Sequence, residues 1–175
     1  DRVINGELSE RALEGHAFVE QCKVAAKALA GLDVAVVKLT LKGFDTHTGQ
    51  RDRHARVLAE LDSGLGALRD AAKASGVWRD TVVVTTSEFG RRAHENASNG
   101  TDHGTAAPLF VLGGALSAHG LVGVQPRLDD LDGEGDVRFT TDYRAVLGGV
   151  ALAAWNADRA SVKSALGDVE PLRFA

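Results

Sequence analysis

Five consecutive residues, Thr81 to Thr85 (TVVVT), are β-branched, and the run stops at Ser87-Glu88-Phe89-Gly90-Arg91-Arg92. An unbroken β-branched run of this length predicts a strand buried on both faces, as at the centre of a parallel sheet. Residues 34–41 (VAVVKLTL) and 108–114 (PLFVLGG) predict two more strands of the same kind. Elsewhere the period changes. Leu13, Ala17, Val24, Ala28 and Leu32 recur near helical spacing and predict a helix over about 9–32, with Gly31 suited to its C-terminal cap. His54, Leu58, Leu61, Leu65, Leu68 and Ala72 form a stripe at spacings of four and three, so a second helix over about 51–74 should turn that face to a core.

Residues 115–135 are rich in Gly and Asp and predict an irregular excursion. A short edge strand is expected at 137–140. Asp142 or Thr141 should cap a helix running through Trp155, and Asp158 a last short helix to Leu166. The tail at 171–174 calls for no special role. Helix, strand, helix, strand, strand, helix is an α/β order with a mostly parallel sheet.

Composition narrows the field. A chain of 175 residues suits one domain rather than two. A net charge of −4 gives no basic surplus for nucleic acid, and no apolar run is long enough to cross a bilayer. The single cysteine, Cys22, cannot close an internal disulfide and reads as a small buried hydrophobe. The chain contains no methionine and opens on Asp1-Arg2-Val3, so it is expected to be a processed or truncated piece of a longer protein.

Polar residues gather where the predicted strands end, which is where ligands bind in open α/β sheets. There are three such clusters: Asp45, His47 and His54; Ser87, Glu88, Arg91 and Arg92; Asp102 and His103. Carboxylate with imidazole, and no thiolate, is a ligand set for zinc or manganese, with calcium or magnesium as the harder alternatives. Each cluster also has a plain structural reading: a capped turn at Asp45, a core histidine at His54, a Glu88–Arg91 or Glu88–Arg92 salt bridge, a tight turn at Asp102-His103-Gly104. His16, His94 and His119 read as surface histidines. Asn96-Ala-Ser98 and Asn99-Gly-Thr101 match glycosylation sequons, but a flexible loop is the simpler reading.

Four motifs in order, GFDTH (43–47), VVVTTSEFGRR (82–92), GTDHG (100–104) followed by PLFVLGG, and TTDYR (140–144), resemble the C-terminal half of the domain of unknown function 1501 family. That family is similar in turn to the alkaline phosphatase/sulfatase superfamily of metal-dependent hydrolases. The resemblance spans about residues 20–150. It implies a three-layer α/β/α sandwich, incomplete in this chain, with metals at the carboxyl ends of the strands. It also implies an anionic phosphate or sulfate ester as substrate and Asp45, His47 and His103 as one metal site. Glu88 and Asp102 would coordinate or support the metal, His54 would be an alternative ligand or general base, and Arg91 or Arg92 would clamp the substrate anion. Where the superfamily's second site has an Asp-His pair this chain has Glu88-Phe89, so one imidazole is missing. The nucleophile would lie upstream, in the missing N-terminal portion, and relatives with export signals imply an extracytoplasmic (periplasmic or secreted) parent.

Two functions follow as expectations: a metal-dependent hydrolase-like domain, or a structural or binding member that kept the fold and lost the chemistry. An ordinary nucleotide-binding domain is the weakest reading, because no glycine-rich phosphate loop follows any predicted strand.

Overall fold

A computed structural model describes residues 17–116 and 120–174. The chain divides into two compact units, one ending at Arg79 and the other beginning at Asp80.

The first unit is a pair of helices, α1 (Phe18–Gly31) and α2 (Gln50–Ala74), joined by residues 32–49. The predicted start of the first helix, before residue 17, lies outside the described residues. The α1 face that packs is Phe18, Cys22, Ala25 and Ala26, all buried. On α2 the sequence stripe is only partly realised. Leu68 and Ala72 are buried, but Leu58 is 41% exposed, and the position buried between them is Gly64. A Cβ on Gly64 would lie 2.4 Å from the Phe18 ring and 3.2 Å from Cys22 Sγ, so the helices meet where one of them has no side chain.

The second unit contains β1 (Val82–Val84), β2 (Gly90–Arg91), β3 (His103–Gly104), β4 (Val111–Gly113), α3 (Tyr143–Ala154) and α4 (Arg159–Leu166). β1 pairs antiparallel with β4, Val82 opposite Gly113 and Val84 opposite Val111; β2 pairs antiparallel with β3. Thr85 extends the larger ladder, its N–H donating to Phe110 O while its hydroxyl accepts from Phe110 N–H. Val82, Val84 and Val111 pack with Leu109 and Leu116 against Val146 and Val150 of α3.

The mostly parallel, three-layer, alkaline-phosphatase-like sandwich is therefore overturned. Among the described residues there are four α-helices and two small antiparallel sheets of two strands each. The valine run is a strand, but it is half-buried, and period and composition carry no information about strand direction. Within residues 34–41 burial alternates, with 37, 39 and 41 half-buried and 36, 38 and 40 exposed, yet they form no strand ladder among the described residues. The alternation is that of a strand, but no ladder partner is present among the described residues. The edge strand expected at 137–140 is reduced to one bridge, Leu131 with Val137.

The helix caps follow the sequence. Asp142 accepts from Arg144 N at 2.8 Å at the start of α3, and Asp158 accepts from Ser161 N at 2.9 Å at the start of α4. The tail does have a role: Phe174 is 7% exposed and belongs to the α3 core, and Leu172 N–H donates to Ala145 O at 2.8 Å. Gly149 permits this, since a Cβ there would lie 2.1 Å from Leu172 O.

Candidate functional site

In the first unit the chemistry sits in the turn that enters α2. Gly43 has φ +105°, and a Cβ there would meet Val57 at 3.0 Å, so a glycine lets the backbone lie on the helix. Phe44 stands edge-on to His54 at 5.7 Å between ring centroids. Thr46 is 1% exposed, with its N–H donating to Phe44 O at 2.9 Å. Asp45 and His47 flank the buried Thr46, Asp45 exposed and His47 half-buried. They meet: His47 Nε2 lies 3.0 Å from Asp45 Oδ1, both side chains being partly exposed.

That spacing can be tested against a metal. Two ligands of a tetrahedral zinc at bond lengths of about 2.0–2.1 Å lie about 3.3 Å apart. The pair would open by only a few tenths of an ångström to share a cation, and it offers the carboxylate and imidazole that zinc and manganese accept. Asp45 also lines an open cleft of about 490 Å³ with Thr46, Arg53, Arg56 and Glu60.

In the second unit the motif glycines are the steric condition for the β2–β3 hairpin. A Cβ on Gly90 would lie 2.0 Å from Ala106 O, and one on Gly104 would lie 2.9 Å from the Arg91 carbonyl carbon. Register sets Arg91 opposite His103. The His103 ring stacks on Phe89 at 3.8 Å with 7° between planes, and the Arg91 guanidinium lies 4.9 Å from the Phe89 centroid while donating to Thr101 O at 2.6 Å.

The connection from 92 to 102 is cross-bonded rather than loose. Asn96 Oδ1 accepts from Ser98 N and Gly100 N, Asn96 Nδ2 donates to Asp102 Oδ1 at 3.1 Å, and Arg92 N donates to Asp102 O. Asn99 adopts φ +55°, a left-handed position asparagine tolerates. Arg92 Nε donates to Asp136 Oδ1 at 3.0 Å, and Asp136 is only 9% exposed. The Asp136 region is itself fixed by Asp132, whose carboxylate lies below its ordinary value because the Asp136 and Glu134 backbone N–H groups donate to it.

The sequence-predicted residues thus fall into distinct settings. Asp45 and His47 come together. His54 lies under the same turn, with its Nδ1 buried and without a hydrogen-bond partner among the described residues. Glu88 is exposed, Asp102 is engaged by Asn96, Arg91 lies over Phe89, and Arg92 is paired with Asp136 rather than Glu88. His94 is exposed; His16 and His119 lie outside the described residues. Sequence reasoning missed Thr46 as the anchor, Arg53 and Arg56 in the cleft, Asp136, and the stacking of Phe89. Arg53 and Arg56 had a signal, since they lie in the first two turns of the helix that follows Asp45. Cys22 behaves as expected: it is fully buried, and burial pushes its thiol up to about 11. No helix among the described residues is long and apolar enough to cross a membrane.

A family model described as protein of unknown function (DUF1501) matches residues 5–140, more than half of the chain. No curated protein and no solved structure matches. The chain belongs to the DUF1501 family.

Proposed function

We propose that this family member is a metal-dependent hydrolase-like domain acting on phosphate or sulfate esters, as the resemblance of its motifs to the DUF1501 family, and of that family in turn to the alkaline phosphatase/sulfatase superfamily, implies. The observation that carries the reading is the Asp45–His47 pair, which flanks a buried Thr46 and lies at close to the spacing of two ligands on one cation. Asp45 and His47 would hold a divalent metal, zinc or manganese by their donor chemistry, with His103 as the third ligand that the GTDHG motif implies. Bound there, the metal would supply Lewis-acid stabilisation of charge developing on the ester oxygen. Arg53 and Arg56, which line the cleft at Asp45, supply guanidiniums for the substrate's anionic end; Arg92 is committed to Asp136.

The test is a panel of aryl phosphate and sulfate esters with the full-length parent protein, with and without added zinc or manganese. Metal-dependent turnover that falls at least 100-fold in His47→Ala supports the reading. Turnover indifferent to chelator and to His47→Ala refutes it. A second reading, a binding or structural member without catalysis, draws on one observation: Phe89 packs on His103, and a phenyl ring cannot ligate a metal. It predicts stoichiometric metal or none, and no ester hydrolysis in either case.

A further inference from the structure

The position that breaks the expected ligand pattern holds a close, stacked aromatic contact. Phe89 and His103 lie nearly parallel, 7° apart, at 3.8 Å between centroids. Two rings of similar electron density prefer an offset or edge-on arrangement, with centroids about 4.5–7 Å apart, because their negative faces repel. Close parallel stacking becomes favourable when one partner is electron-poor. An imidazole whose nitrogen lone pair is given to a divalent cation is such a partner, and its face is then drawn to the negative face of a phenyl ring.

The backbone holds the two rings in register. Gly90 and Gly104 are paired across β2 and β3, and neither tolerates a Cβ, so the hairpin cannot slide without losing its closest approaches. Arg91 holds Phe89 from a third direction: its guanidinium lies over the ring while Nη1 is tied to Thr101 O. Phe89 therefore has a fixed ring plane, and His103 is laid against it.

We propose that Phe89 is a positioning residue for His103, a π-rich platform that fixes the imidazole plane and favours its metal-bound form. The inference rests on the reading of His103 as a metal ligand. It gives the Glu88-Phe89 segment a job that coordination could not: Phe89 acts on the metal through the ligand it stacks on.

The experiment titrates the full chain with cobalt(II) and follows visible absorption, in wild type, Phe89→Leu, Phe89→Trp, and protein carrying pentafluorophenylalanine at position 89. NMR of the metal-free proteins reads the His103 ring protons. The platform predicts cobalt binding weaker by roughly twofold to tenfold in Phe89→Leu, restored in Phe89→Trp, and weakened again by the fluorinated ring, which keeps the shape and inverts the face charge. It also predicts a ring-current shift on the His103 protons that Phe89→Leu abolishes. If Phe89→Leu does not fold, the fluorinated and tryptophan proteins carry the comparison. Equal affinity across the series, or no ring-current shift in wild type, overturns the platform while leaving the metal reading intact. Failure of the wild-type chain to bind cobalt overturns both.

Discussion

The helix pair of the first unit rests on a missing side chain, and two glycines two residues apart on α2 isolate its energy. Gly64→Ala and Gly66→Ala both exchange glycine for the best helix former, a gain of about 1 kcal/mol each in a helix interior. They differ in surroundings. A Cβ on Gly66 meets nothing within 4 Å, whereas one on Gly64 would lie 2.4 and 2.5 Å from two Phe18 ring atoms and 3.2 Å from Cys22 Sγ. Normal contact needs more than 3.4 Å, so the Phe18 ring, itself 7% exposed, must move by about an ångström into a packed interior. Overpacking of this kind costs about 1–3 kcal/mol. The propensity gain cancels in the comparison. Gly64→Ala should therefore be less stable than Gly66→Ala by about 1–3 kcal/mol, and Gly66→Ala more stable than wild type by about 1 kcal/mol. Urea unfolding followed by circular dichroism at 222 nm measures both. Equal stability of the two alanine variants would refute the helix packing described here.

Other consequences can be checked as directly. Phe174→Ala should cost about 3–5 kcal/mol, because the ring is 7% exposed in the α3 core; a loss below about 1 kcal/mol in chemical denaturation would mean that the tail does not dock. Asp142 and Asp158 have lowered pKa values, Asp142 chiefly through Arg144 and Asp158 chiefly through the Ser161 hydroxyl. A lowered folded value means that their stabilisation is complete above the unfolded Asp pKa of about 3.9 and is lost as pH falls through the folded value. The melting temperature should hold down to about pH 4 and decline below it, and Asp142→Asn should narrow its gap to wild type over that range. Cys22, with its thiol raised to about 11 and no exposed surface, should resist Ellman's reagent at pH 8 in native protein and react fully in denaturant; prompt native reaction would contradict its burial.

The sequence was most legible where one residue decides a local outcome. Asp142 and Asp158 are helix caps because a carboxylate at that position accepts the first free N–H groups, and both helices start where those residues predict. The α2 stripe was legible at Leu68 and Ala72 but not at Gly64, because a hydrophobic pattern cannot show that the closest approach of two helices falls on a residue without a side chain. The strands fared worst. Val82 to Val84 and the 34–41 segment look alike in sequence, yet one finds an antiparallel partner in β4 and the other has none among the described residues. Pairing is long-range, and strand composition does not encode it. At the candidate site, Asp45 and His47 could be picked out because ligand chemistry is a matter of residue type. Phe89 stood out only as a break in the ligand pattern, since the stacking of its ring on His103 is a three-dimensional contact that residue type does not encode.

The most direct test of the central claim is the metal content of the purified chain and its zinc affinity by isothermal titration calorimetry, in wild type, His47→Ala and His103→Ala. On the proposed function, wild type should hold one tightly bound zinc or manganese per chain. That function predicts a loss of at least 100-fold in affinity in either variant, with their circular dichroism spectra unchanged. A well-folded wild-type chain that binds no divalent metal, or binds it equally well without His47, would contradict it.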